Sequence, residues 1–330
     1  MKFQQLRTFV QVAEKGSVRA AADSLNVSAT AVSQSLKELE HNVGFPLFTR
    51  HSQGVVTTIL GRQFLEHARL ILGQVDRAEK ELVQLRGQVG GSLAIGVTPW
   101  VSQSILPYAI RAFRLVRPDV RLDVYETLGR GHQPLREGTL DIVIGMPPAP
   151  QHAAGFRTQN LFECAMAIVG RMGHPLSDCT SMAELWECDW LLTLRQDVIE
   201  QPLLDMLAPF GVQPCTEKIH LARSTLSVLA MLEGSNMLTV CPWPLVETPL
   251  MRNRILALPI RNPLPVLTTS LVTRRGDALT AVAKIFIDCF MDATRECQHS
   301  VEVSLRRIMN SVEDISGKIA AEAVDTPPDV

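Results

Sequence analysis

Residues 17–40 read SVRAAADSLNVSATAVSQSLKELE, and they parse as two short helices on either side of a tight turn. Val18, Ala21, Ala22 and Leu25 give the first helix an apolar face, and Ser17 stands where an N-cap belongs. Asn26 follows, one of the few non-glycine residues that accepts positive φ. Ser28 can then cap a second helix in which Val32, Leu36, Leu39 and Val43 recur four, three and four residues apart, the spacing of a buried stripe. The opposite stripe, Ala29, Thr30, Ser33, Gln34 and Lys37, is small, polar and free of carboxylates. A helix lying in a major groove needs such a face: hydrogen-bonding groups for base edges and a cation for phosphate. An ordinary helical hairpin with a solvated polar face fits the same residues.

The flanking segments bear on that choice. Upstream, Leu6, Phe9, Val10 and Ala13 line one side of a helix over 3–15 that would pack behind the pair. Downstream, Leu47–Arg50 and Val55–Thr57 are β-prone runs around a turn containing Gly54, which predicts a hairpin, or wing. Its tip carries Arg50, His51, Ser52 and Gln53, in reach of phosphate or the adjacent minor groove; for His51 and Gln53 a merely soluble turn fits as well. Residues 1–60 hold six Lys/Arg, Arg19 among them, against four acids. That local balance permits DNA binding, while the net charge of −2 for the whole chain does not advertise it.

Beyond the hairpin a long helix is predicted from Leu60 to Arg86. Phe64, Ala68, Ile71, Val75, Ala78, Leu82 and Leu85 alternate at four and three through three heptads. So narrow a stripe argues for a two-helix seam, hence a homodimer, and a dimer carries two recognition helices to an imperfectly palindromic operator. Gly87, Gly90 and Gly91 end the helix and supply a hinge.

Leu6, Phe9, Val12, Ala13, Gly16, Ser17, Ala20, Ala21, Leu25, Val27, Ser28, Val32, Ser33, Leu36, Leu39 and Glu40, continued by Gly44, Leu47, Phe48, Arg50 and Gly61, resemble the N-terminus of a LysR-type transcriptional regulator. The resemblance runs, with weaker motifs, to about residue 295. Ala29-Thr30 stand where many members carry Gln-Pro, and Gln34 where an arginine is frequent; these departures bear on the operator sequence and not on the binding mode. The candidate DNA contacts are therefore Arg19, Ser28, Ala29, Thr30, Ser33, Gln34, Lys37, Arg50, His51 and Gln53. The resemblance further implies double-stranded promoter DNA, a homotetramer built as a dimer of dimers, and RNA polymerase as partners.

From Ser92 strands and helices alternate. Strands are expected at 93–97, 120–126 and 140–145 and helices at 103–116 and 133–137, the pattern of a doubly wound parallel α/β sheet. A second lobe begins near Cys164, with strands at 165–169 and 237–241 and a helix at 224–233; the strand 265–273 and the helix 279–294 return to the first lobe. Gly138, Leu140 and Asp141, and the turn His174-Pro175-Leu176, match recurring turns of the same family, which implies a two-lobed, periplasmic-binding-protein-like effector domain. The division is then 1–59 (winged helix-turn-helix), 60–91 (linker helix and hinge), 92–299 (effector domain, first lobe 92–163 and 266–299, second lobe 164–265) and 300–330. In the last segment Val301, Leu305, Ile308, Val312, Ile315 and Ile319 keep heptad spacing, predicting an extra amphipathic helix over 301–319 that docks on the effector domain or adds an oligomer contact.

Ligands of open α/β sheets lie outside the carboxyl ends of the strands, where strand order reverses. Thr98, Pro99, Trp100 and Ser102 hold that place after the first strand, opening a helix whose N–H groups favour an anion, with Trp100 as a flat apolar wall. Thr98 and Ser102 as mere helix caps, and Trp100 as core, fit the same positions. Leu128, Gly129, Met146, Pro147, Thr193, Arg195, Ser224 and Pro242 project toward the same crevice. The expected effector is a small organic acid, an aromatic one first, and no other cofactor or metal is expected.

An enzyme has little support. His132, His152 and His174 lie in loops without H-E-x-x-H, G-x-S-x-G or a phosphate-binding glycine loop. The seven cysteines form no C-x-x-C pair. A redox-switched regulator would draw on Cys179 and Cys188, neither in an evident cationic setting. A purely architectural DNA-binding protein would leave the α/β region unexplained. No signal-peptide core and no apolar run of about 18 residues is present, which points to the cytoplasm and no membrane.

Overall fold

The computed structural model describes residues 1–51, 54–85, 91–127, 132–185, 187–193, 216–276 and 279–316. Two compact units make up the chain, Met1–Gly91 with Gln133–Leu140, and Ser92–His132 with Asp141–Val330.

Local rules place the elements of the first unit. α1 is Phe3–Lys15, α2 Val18–Leu25 and α3 Ala29–Val43. Ser17 Oγ accepts from the Ala20 amide at 3.4 Å and Ser28 Oγ from the Ala31 amide at 3.1 Å, each satisfying one amide that a helix start leaves free. Between them Asn26 turns the chain at φ 54°. Leu6, Phe9, Val12, Ala21, Val32, Leu36 and Leu39 bury together, and Phe9 lies 5.2 Å from the rings of both Phe48 and Phe64. The wing is β1 (Phe48–His51) paired antiparallel with β2 (Gly54–Thr57). Glu40 Oε1 ties it to α3 by accepting from the amides of Leu47 and Phe48 at 2.7 and 3.2 Å. The Val55 amide donates to the Gly16 carbonyl at 2.9 Å, so the wing is also bonded to the turn between α1 and α2. Gly16 and Gly54 both have positive φ, and a Cβ on Gly54 would collide with the Gly16 carbonyl.

α4 runs Ile59–Leu85. Along its heptad line Ala68 is buried against the first unit, whereas Ile71 is 39% and Leu82 53% exposed. Arg69 forks to Glu14 at 3.2 Å and to Glu137 at 3.0 Å. Gly87 and Gly90 of the expected hinge lie outside the described residues, and Gly91 already opens a strand.

The second unit is built on β3 (Gly91–Val97), β4 (Val120–Glu126), β5 (Ile142–Gly145), β6 (Phe156–Arg171), β9 (Thr239–Pro242), β10 (Ile255–Ala257), β11 (Val266–Arg274) and β12 (Val312–Asp314). Its path is β10-β6-β11-β5-β3-β4, with β9 and β12 also on β6. β3 pairs parallel with β5, while β11 returns antiparallel between β5 and β6. β7 (Trp190–Leu192) and β8 (Ile219–Leu221) form a separate parallel pair. The second lobe's first strand is longer than the 165–169 expected: β6 spans 16 residues, its start bonded to β11 and its end to β9 and β10, so one strand serves both lobes.

The helices of this unit are α5 (Pro99–Ser102), α6 (Ile105–Val116), α8 (Thr225–Glu233), α9 (Trp243–Val246), α10 (Ala281–Gln298) and α11 (Val303–Asn310), while α7 (His132–Arg136) falls from Gln133 onward in the first unit. The helix expected at 103–116 starts at Ile105, preceded by the separate single turn α5. Pro107 has no amide to donate and is tolerated only in a first turn, so the longer helix starts just ahead of it. The helix expected over 301–319 likewise stops at Asn310. Ser311 bonds back to Ile308, and β-branched Val312 opposite Cys164 begins a strand on the side of β6 away from β11. Leu305, Ile308, Met309 and Ile315 bury against the second unit, while Val301 is 92% exposed; Ile319 lies outside the described residues.

Candidate nucleic-acid interface and effector site

On α3 the burial alternates as a groove-reading helix requires. Val32, Leu36 and Leu39 are buried, Ala29, Thr30, Gln34 and Lys37 are exposed, and Ser33 is half-buried. Ser28, which caps the helix, and Arg19 on α2 are exposed as well. One detail differs from the carboxylate-free face expected from sequence: Gln34 Nε2 donates to Glu38 Oε1 at 3.3 Å, and Gln5 Nε2 to Glu38 Oε2 at 3.1 Å. His51 ends β1 and is exposed; Gln53 and the side chain of Arg50 lie outside the description.

In the second unit β4 and β5 flank β3, and the chain crosses from one flank to the other between them, so the carboxyl end of β3 is the switch point. Thr98 follows β3, Thr127 follows β4 and Met146 follows β5. The Thr98 amide donates to the Ile144 carbonyl at 2.9 Å and the Thr127 amide to the Val97 carbonyl at 2.7 Å, which draws the three strand ends together. A Cβ on Gly145 would lie 3.5 Å from Thr127 Oγ1 and 3.6 Å from Thr98 Cγ2, so both threonines line one spot. Thr98 is 9% exposed, and neither its hydroxyl nor that of Thr127 has a hydrogen-bond partner among the described residues.

The other expected effector residues divide. Trp100 is fully buried, its ring edge-on to Phe162 at 5.4 Å; it is a core side chain and not an open wall. Ser102 is half-buried and spends its hydroxyl on the Pro99 carbonyl at 2.8 Å. With α5 only four residues long, the dipole expected at Thr98 is that of one turn. Pro99, Met146, Pro147, Thr193, Ser224 and Pro242 are half-buried; Ser224 caps α8, and Pro242 pairs with Met166 where β6 meets β9. Leu128, Gly129 and Arg195 fall outside the described residues.

Two residues absent from the sequence reading of the site meet beside it. The Glu126 carboxylate, at the end of β4, accepts from both the amide and the hydroxyl of Thr225, the first residue of α8. Glu126 ends a strand and Thr225 follows an N-cap, but nothing local joins residues 99 apart.

Among the described residues the thiols are quiet. Burial pushes Cys164, Cys241 and Cys297 up to about 12 and raises Cys179, Cys188 and Cys289, which opposes the thiolate that redox switching needs. Among the described residues no group of three or more potential ligands could hold a metal ion, and no helix is long and apolar enough to cross a membrane.

A capped helix-turn-helix with a wing, followed by a two-lobed α/β receptor, defines a ligand-responsive DNA-binding regulator. Residues 3–62 match the bacterial regulatory helix-turn-helix of the lysR family, and residues 86–295 match the LysR substrate binding domain. The chain belongs to the LysR family of transcriptional regulators. It is 34% identical over 216 residues to the HTH-type transcriptional regulator PcaQ of Agrobacterium fabrum, covering 64% of this chain and 69% of the relative. It is 30% identical over 244 residues to the regulator GbpR of Azospirillum brasilense, covering 73% and 71%. Among solved structures, the LysR family regulator CbnR superposes with a TM-score of 0.58 at 20% identity over 89% of this chain and 99% of CbnR. Full-length CbnR complexed with its target DNA gives 0.55 at the same identity, over 89% of this chain and 100% of CbnR. The relatives are transcriptional regulators, not enzymes.

Proposed function

We propose that this regulator binds an imperfectly palindromic operator as a homodimer through α4, two dimers forming a tetramer, and senses a small organic acid at the carboxyl ends of β3, β4 and β5. The observation that carries the effector site is the buried Thr98 hydroxyl, which has no partner among the described residues, at strand ends where the Thr127 hydroxyl has none among them either. An orphaned buried polar group costs about 1–3 kcal/mol, which a ligand supplying acceptors recovers. Dimerisation is supported by the exposed heptad residues Ile71 and Leu82, and DNA contact by the exposed face of α3. DNA as the partner puts the protein in the cytoplasm. Effector binding shifts the population of lobe arrangements to the extent that it binds one better than the other, and so alters contact with promoter or RNA polymerase.

The test is a thermal-shift screen of the full chain against aliphatic and aromatic carboxylates and sulfonates. A ligand at a hundred times its Kd adds about 2.7 kcal/mol of stability. Thr98→Val with Thr127→Val should weaken that ligand at least tenfold. An undiminished response in the double variant refutes the site, and a panel without a dose-dependent hit refutes the organic-acid class.

A further inference from the structure

The pair Glu126–Thr225 joins the two lobes away from their shared strands. β4 is the edge strand beyond β3 in the first lobe. α8 packs on the far part of the second unit, against β6, β7 and β10. Within α8, the hydroxyl of Ser224 accepts from the Ser227 amide at 3.1 Å, leaving the Thr225 amide for a ligand from outside the helix. Glu126 Oε1 takes that amide at 3.1 Å and the Thr225 hydroxyl as well, and Thr225 itself is only 5% exposed. A carboxylate therefore already sits on the positive end of a nine-residue helix, received by an amide and a buried hydroxyl. The next residue, Thr127, turns toward Gly145 a hydroxyl that has no partner among the described residues; Thr98 meets the same spot with its methyl, and its own buried hydroxyl likewise has no partner among the described residues. A carboxylate receptor thus lies one residue along the chain from a hydroxyl without a partner among the described residues, and the receptor is filled from within.

We propose that Glu126 is a tethered occupant of a carboxylate-binding site at Thr225, which latches the lobes in the ligand-free protein and which the effector's own carboxylate replaces. This rests on the effector reading above for the identity of the incoming group, but not for the latch. No bond to carbon forms or breaks; one carboxylate exchanges for another. A tethered group competes at an effective concentration of millimolar order or above. A bare carboxylate therefore loses to Glu126. An acid that also satisfies Thr98 and Thr127 wins, which restricts the effector to carboxylates bearing a second hydrogen-bond acceptor.

Removing the tether should leave the receptor open to the simplest carboxylate. The full-length protein is compared as wild type, Glu126→Gln, Glu126→Ala and Glu126→Ala with Thr225→Val, with sodium acetate as probe and sodium chloride of equal ionic strength as control. The readout is hydrogen exchange at the amides of Thr225 and Leu226, with the melting temperature alongside. Glu126→Ala should exchange there at least tenfold faster than wild type. Acetate should restore its protection at a concentration at least tenfold below any effect on wild type, and the Thr225→Val double variant should not respond. Acetate acting no better than chloride on Glu126→Ala overturns the proposal. Should that variant not fold, Glu126→Gln decides: exchange equal to wild type overturns the latch, and faster exchange supports it. An organic acid that stabilises wild type while leaving exchange at Thr225 unchanged refutes the latch and keeps the effector site. Acetate rescue with no acid acting on wild type keeps the latch and refutes the organic-acid effector.

Discussion

Gln34 gives its side-chain amide to Glu38 one turn along α3, Nε2 to Oε1 at 3.3 Å. The donor half of the residue best placed to read a base is thus already engaged. A glutamine reading adenine uses both halves of its amide, so it must leave Glu38 to do so. Gln34→Ala should cost roughly 1–3 kcal/mol at one operator position and relax base preference there. Binding assays on a set of single-position operator variants check this, and an unchanged base preference would remove Gln34 from the reading face.

Arg50 lies in β1 opposite Val55, on the wing and off the groove-reading helix. Arg50→Ala should weaken binding about equally for all sequences and reduce the slope of log K against log salt by about one. Titrations at several salt concentrations on operator and on unrelated DNA give the result. A loss confined to the operator would mean that Arg50 reads bases.

Trp100, on α5, is fully buried with its ring edge-on to Phe162 of β6. Trp100→Ala should destabilise the second unit by about 3–5 kcal/mol through the cavity it leaves. Urea unfolding followed in that unit measures it. A stable variant that has lost only effector response would restore Trp100 to the ligand wall.

Ending the chain at Ser300 removes α11 and β12 and exposes the surfaces that covered Leu305, Ile308, Met309 and Ile315. At about 1.5–3 kcal/mol for each buried aliphatic side chain, the loss should be at least roughly 5 kcal/mol. It should appear as faster hydrogen exchange at Phe162–Cys164, which lose their second neighbouring strand. Unchanged exchange and melting temperature would show that the tail contributes nothing to the second unit.

Cys241 is held at about 12 by burial, against an ordinary value of 9.0. A thiol whose folded value is raised favours the native state fully below the ordinary value, and that contribution drains away as pH rises from 9 toward 12. Wild type should therefore lose stability over the alkaline range faster than Cys241→Ala does. Parallel melting curves between pH 8 and 10.5 would reveal no difference if the thiol titrated normally.

The parts read correctly from sequence are those fixed within a few residues. Ser17, Asn26 and Ser28 cap and turn the helices by bonds three or four positions long, and the stripe from Val32 to Leu39 needs only helical spacing. The tail shows where this fails: heptad spacing continues past Asn310, but the free side of β6 claims Val312 for a strand opposite Cys164, a pairing invisible across 148 residues of separation. Trp100 was ambiguous because a flat apolar residue after a strand looks the same in a core as on a cleft wall. Glu126 and Thr225 were missed because their meeting is purely tertiary.

The bond from Val55 to Gly16, with no room for a side chain between Gly54 and Gly16, fuses the wing to the helices that carry the recognition element. Such a head cannot adjust the gap between its two points of contact. The duplex must supply the compliance, so flexible pyrimidine–purine steps between the helix and wing positions should be favoured over stiff A-tracts at base pairs the protein never touches.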